Sequence, residues 1–159
     1  MSSHEKTNVM RILQQKGIEY KSHTYEPDAT KSGVEIATAL GENPEQAFKT
    51  LVTFGKSGEH YVFVIPVSKE LDLKKAARVV SEKSISMLPQ KELLHLTGYV
   101  HGGCSPIGMK KAFPTVLQEG ADKFATIYFS AGKVGFQVEV SPQDLLKVVK
   151  YKLADVCVE

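Results

Sequence analysis

"FKTLVTF" (48–54) and "HYVFVIPV" (60–67), joined by "GKSGE" (55–59), decide how this chain is read. Both runs are dense in β-branched and aromatic residues, and the connection between them carries glycine. They form a β-hairpin, so antiparallel pairing is required. A second hairpin reads from "FATIYFSAGKVGFQVEV" (124–140), turned at "SAGKVG" (130–135).

Outward from these hairpins the period changes. Residues 5–16 place Val9, Ile12, Leu13 and Lys16 at helical spacing, and Gly17 is placed to stop the helix. "SGVE" (32–35) has the form of a capping box, Ser32 as cap and Glu35 three residues on, opening a helix that ends at Gly41. "NPEQ" (43–46) offers another helix start, with Asn43 as cap and Pro44 at the first position. "LDLKKAARVV" (71–80), "PQKELLHLTG" (89–98) and "SPQDLLKVVK" (141–150) return to helical spacing, the last with Ser141 as cap. "IEYKSHTYE" (18–26) reads as extended, "SISML" (84–88) as a short strand and "LADVCV" (153–158) as a last strand. Helices alternate with strands while the hairpins demand antiparallel pairs. The expectation is a mixed α/β domain with one central sheet.

The bulk properties fit that reading. At 159 residues, 42% hydrophobic and 24% charged, the chain suits one domain over 1–159 with one sizeable core. Twenty basic against 18 acidic residues leave a net charge of +2, too small for bulk, sequence-blind nucleic-acid binding. No run reaches the roughly 20 apolar residues of a membrane span. The N-terminus lacks the apolar core of a signal peptide. Two cysteines in no metal-like spacing then point to a reduced cytoplasm.

Few stretches carry chemistry. Lys49 enters an apolar strand run, either as a solvated edge lysine or as a positive charge held to meet an anionic or carbonyl oxygen. "HGGCSPIG" (101–108) concentrates backbone freedom. Gly102 and Gly103 make a simple turn or bring N–H groups close to an oxyanion, and Pro106 stiffens the far side of the loop. Cys104 with His101 or His95 nearby raises a thiol-nucleophile reading, against which stands an ordinary small buried residue. His4, His23, His60, His95 and His101 match no metal-binding spacing. The phosphate-loop, dinucleotide-loop and nucleophile-elbow patterns are missing. "SAGKVG" could hold a phosphate, but as a hairpin tip it also reads as a plain turn.

Taken in order, "HTYE" (23–26), "NPEQAFKTLV" (43–52), "LDLKKAA" (71–77), "TGYVHGGCSPIGMKK" (97–111) and "FATIYFSAGKVG" (124–135) resemble the YbaK family of bacterial Cys-tRNA(Pro) deacylases. These are stand-alone relatives of the editing domain inserted in some prolyl-tRNA synthetases. The resemblance runs from about residue 7 to 155. It implies a curved, partly barrel-like mixed central sheet flanked by helices. It also implies removal of misloaded cysteine from tRNA, a second sieve for a near-isostere of proline. By the resemblance, Lys49 is the essential lysine and Thr50 its neighbour. Tyr25 and Ser130 shape the pocket. Gly102 and Gly103, with Ser105 and Pro106 of the same loop, embrace the aminoacyl ester.

The family's proposed chemistry uses the substrate's own thiol against its ester carbonyl, so no enzyme nucleophile, metal or cofactor is expected. The implied partners are the 3′ end of an aminoacylated tRNA and prolyl-tRNA synthetase, with no DNA and no membrane. Two positions depart from the pattern. Ser32 stands where relatives often have Phe, and Gln137 where they often have Asp; both bear on which amino acid is removed. Some relatives clear alanine with water instead, and a non-catalytic module that binds tRNA or the synthetase is the other class that fits.

Overall fold

Strands β2 (Phe48–Gly55) and β3 (His60–Pro66) pair antiparallel over their whole length, from Phe48 opposite Pro66 to Phe54 opposite His60. In the computed structural model, which describes residues 5–159, this hairpin is the centre of a five-stranded sheet. Its order is β4 (Ile85–Met87), β2, β3, β5 (Thr115–Gln118), β8 (Tyr151–Ala154). The pairs β3–β5 and β5–β8 are parallel, so the sheet is mixed. A second, antiparallel sheet joins β1 (Lys21–Thr24), β7 (Phe136–Val140) and β6 (Ile127–Ser130) in that order. The mixed α/β expectation holds, with the strands divided between two sheets.

The sheets meet at the start of β2. β4 pairs only with Thr53–Gly55. Ahead of it, Ala47 bridges Tyr128 of β6 in parallel, and the Tyr128 N–H donates to the Gln46 carbonyl at 3.1 Å. This bridge aligns the side-chain alternation of the two sheets.

Among the described residues five α-helices accompany the strands: α1 (Asn8–Gln15), α2 (Gly33–Ala39), α3 (Leu73–Val79), α4 (Gln90–Thr97) and α5 (Pro142–Leu145). Local chemistry explains their ends. Thr7 Oγ1 accepts from Met10 N, and Asp72 Oδ1 accepts from Lys74 N and Lys75 N at 3.0 Å. Ser32 and Glu35 close the reciprocal capping box, and Gly98, at φ 87°, ends α4. One core packs Phe48, Val52 and Val64 against Phe129, Phe136 and Val138, closed by Val9 and Leu13 of α1. On the other face of the five-stranded sheet Phe63, Ile65 and Val116 pack on Ala76 and Ala77 of α3 with Val156 and Cys157.

Three local expectations shift. "NPEQ" makes one turn, in which Asn43 Oδ1 accepts from Glu45 N at 2.9 Å, because Ala47 is already committed to the bridge with Tyr128. The helix expected over 141–150 is a single turn, α5, and the last strand lies at 151–154, parallel to β5. β5 itself has no counterpart in the sequence reading. His4 lies outside the described residues. Among those described, no helix is long and apolar enough to cross a membrane.

Candidate functional site

β-Partners present their side chains on one face, and the face repeats every second residue. Ser130 pairs with Gln137, and Gln137 with His23. Ala47 bridges Tyr128 in parallel, so Lys49, two residues past Ala47, lies on the same face as Ser130 across the seam. One rung of the joined sheets thus carries His23, Gln137, Ser130 and Lys49. At about 4.8 Å per strand, it spans about 14 Å. The opposite face holds Phe48, Val52, Phe129 and Val138 in the core.

Lys49 is half-buried where the polar rung meets the apolar α3 side. Burial pushes its ammonium down from the ordinary lysine range, while Cys157 and Glu70 pull the other way. A desolvated ammonium beside little countercharge is well suited to meet an anionic or carbonyl oxygen.

Next to Ser130 the β6–β7 hairpin turns. Ser130 Oγ accepts from Gly132 N at 3.1 Å, and Tyr25 N donates to the Gly135 carbonyl at 2.9 Å, which lays Tyr25 alongside the tip. The glycine loop wraps that tip. A Cβ on Gly103 would lie 3.1 Å from Val134 N and 3.3 Å from Lys133 C, so any larger residue would have to press the hairpin backbone aside by a few tenths of an ångström. Gly102 adopts φ 86°. The Gly103 N–H donates to the Val100 carbonyl at 3.0 Å, which closes a turn. That N–H is therefore engaged within the loop, and the pairing of both glycine N–H groups with an ester that the sequence suggested does not describe this geometry.

The other expected site residues divide. Ser105 is fully buried, its Oγ accepting from Ile107 N at 3.3 Å, and Pro106 is buried beside it. Both shape the loop from within. Thr50 lies on the core-facing side of β2, opposite Val64, with its Oγ1 buried and unpartnered. It does not share the face of Lys49. Ser32 is engaged as the α2 cap, its Oγ accepting from Glu35 N at 3.2 Å.

Cys104 is half-buried, and burial pushes its thiol up to about 12. With so little thiolate at neutral pH the side chain is poorly suited to act as a nucleophile. Among the described residues no group of three or more His, Cys, Asp or Glu is disposed to hold a metal ion.

Sequence reasoning missed the acidic part of the strip. His23 Nε2 and Glu139 Oε1 are 2.9 Å apart, and Thr126 Oγ1 donates to Glu139 Oε2 at 2.6 Å. Burial acts to raise the Glu139 carboxyl, but these two bonds outweigh it and hold the group below the usual range. Glu42, on the turn after α2, is buried near Gln137, His23 and Glu139, and burial pushes its carboxyl up. Only the pairing of β1, β7 and β6, with the turn after α2 brought against them, puts these groups together; nothing local in "GENP" (41–44) announces it.

The family model for the aminoacyl-tRNA editing domain matches residues 26–148. The chain is 42% identical over 153 residues, 96% of its length and 93% of the relative's, to a protein of Enterococcus faecalis named Cys-tRNA(Pro)/Cys-tRNA(Cys) deacylase EbsC. A solved structure described as a trans-editing enzyme for prolyl-tRNA synthetase superposes with a TM-score of 0.81 at 25% identity, covering 98% of this chain and 100% of that one. The structure of hypothetical protein APE2540 shares the fold at a TM-score of 0.86 and 23% identity, covering 96% of this chain and 100% of the other.

Proposed function

The chain belongs to the aminoacyl-tRNA editing domain family, and on that premise we propose that it removes misloaded cysteine from tRNA(Pro). It is a trans-editing aminoacyl-tRNA deacylase, and its substrate is an aminoacylated tRNA. The whole chain, 1–159, acts as one editing domain in the cytoplasm, and prolyl-tRNA synthetase is the partner that supplies selectivity for the tRNA.

The observation that carries the reading is the rung Lys49–Ser130–Gln137–His23 beside a glycine loop packed closely on the hairpin backbone, with no activated nucleophile among the described residues of the site. Such a site positions a substrate that brings its own nucleophile. The cysteinyl thiol attacks its ester carbonyl, forming the S–C bond. The bond from that carbon to the terminal ribose oxygen breaks, and the thiol proton ends on that oxygen. The products are a cyclic thiolactone and free tRNA, with no water consumed. Lys49 meets the 3′ end, Ser130 and Tyr25 border the aminoacyl group, and the loop of Gly102, Gly103, Ser105 and Pro106 closes over it. Thr50 supports β2 from the core side. Holding thiol and carbonyl at attack distance is the main catalytic contribution.

The test is deacylation of Cys-tRNA(Pro), Ala-tRNA(Pro) and Pro-tRNA(Pro), with product analysis. Cysteine loss as thiolactone is expected. Loss of alanine with incorporation of solvent oxygen would replace the thiol route by hydrolysis, and loss of none would reduce the protein to a binding module.

A further inference from the structure

Two buried oxygens near the rung lack donors. Glu42 is 8% exposed and Gln137 9%, and Oε1 of each has no hydrogen-bond partner. Several nearby donors are engaged elsewhere, and the Gln137 side chain also bears on the Glu42 carboxyl. The His23 imidazole and the Thr126 hydroxyl serve Glu139, and the Gln46 amide donates to the Thr126 carbonyl at 2.8 Å. Glu42 is held in place by its own N–H, which donates to the Ala37 carbonyl at 2.9 Å. Gln137 stands directly beside Ser130. Buried acceptors are left unmatched at a cost that a folded protein rarely tolerates without a role.

We propose that Glu42 and Gln137 form the subsite that receives the α-ammonium group of the aminoacyl ester. An ammonium offers three N–H donors and a positive charge, which matches a carboxylate and an amide oxygen better than any neutral donor does. In an aminoacyl ester this group is attached one carbon from the carbonyl. Anchoring it at Gln137 therefore sets the carbonyl near Ser130 and the ribose toward Lys49, along the rung. Burial that raises the Glu42 carboxyl in the free protein is relieved when a cation arrives beside it. The subsite reads the backbone of the amino acid and not its side chain, so it serves cysteine and alanine alike. It rests on the deacylase reading of the same strip.

The experiment measures binding of a non-cleavable substrate analogue, 3′-cysteinylamino-3′-deoxyadenosine, and of its N-acetyl form, which lacks the ammonium, to wild type and Glu42→Gln. Wild type is expected to prefer the free amine by about tenfold or more. Glu42→Gln should narrow that preference to within about twofold by weakening the free-amine analogue alone. Adding Gln137→Glu to Glu42→Gln restores a carboxylate on the rung and should restore the preference. Thermal melts check that each variant is folded. An unchanged preference in Glu42→Gln overturns the subsite, as does equal weakening of both analogues or binding of neither by wild type. Deacylation of Cys-tRNA(Pro) by wild type is scored separately. Its loss with amine preference retained would sink the cysteine-deacylase reading and leave the subsite standing; the reverse result would sink the subsite alone.

Discussion

Ser130 and Gln137 face each other as partners in the β6–β7 ladder, and the Ala47–Tyr128 bridge carries their row across the seam to Lys49. The seam matters because Lys49 belongs to one sheet and its polar neighbours to the other. Replacing Lys49 by alanine removes the one ammonium on the rung and leaves the backbone pairing intact. We expect a loss in deacylation on the order of 100-fold or more, as for removal of one positioned electrostatic group. The fold should not suffer. Burial lowers the Lys49 pKa, so the charged form is held at a cost in the folded state. A thermal melt of Lys49→Ala at neutral pH should match or exceed wild type; a large drop would mean that the lysine is structural.

Cys104 provides the converse case. Its thiol sits at about 12, pushed there by burial. Cys104→Ser and Cys104→Ala should deacylate within about threefold of wild type, a change in the range of ordinary repacking. Iodoacetamide at pH 8 should label Cys104 far more slowly than a free thiol, because little thiolate is present. Fast labelling together with loss of activity would reinstate the cysteine as a nucleophile.

How far the sequence could be read depended on the range of the signal. Ser32–Glu35, Ser141–Pro142, Gly98 and the two hairpins announce themselves within a few residues, and each appears where the spacing puts it. β5 did not, because all four of its residues are buried between parallel neighbours and show no alternation. "NPEQ" has helix-start chemistry, yet the pairing of Ala47 with Tyr128 overrides it. The site divides the same way. Lys49 and the glycine pair stood out as residues, but that Lys49 shares a row with Ser130 depends on contacts 81 positions apart in the bridge Ala47–Tyr128. Glu42 gave no signal, since its burial comes from residues far away in sequence, Gln137 and Glu139 among them.

Gly103 tests the seating of the loop. A methyl group there would press on the backbone of Lys133 and Val134, which cannot rotate away. Gly103→Ala should therefore push the loop off the hairpin tip, costing about 1–3 kcal/mol of stability and most of the activity. Gly102→Ala makes only an ordinary contact, with Val134 Cγ2 at 3.7 Å, but must hold φ 86°. Its cost should be about 1–2 kcal/mol. Crystal structures of the two variants would separate displacement of the loop from local strain. An undisplaced loop in Gly103→Ala would refute the close packing.

Glu42 makes a prediction about stability against pH. Its carboxyl is raised in the folded protein by burial, with Gln137 and His23 opposing and Glu139 reinforcing the shift; the Tyr128 phenol faces the same cluster. A carboxyl with a raised folded pKa is bound more tightly to its proton in the native state. Its contribution is therefore favourable near and below the ordinary value of 4.5 and is lost as pH rises through the folded pKa. Glutamine carries no such penalty. Without ligand, Glu42→Gln should melt a few degrees above wild type at pH 7, roughly the effect of 1 kcal/mol in a chain of this size. The gap should close as pH falls below the ordinary carboxylate range, because wild type is then protonated and equally neutral. A gap that is constant with pH would mean that Glu42 is ionised and satisfied in the free protein, and that its burial has another explanation.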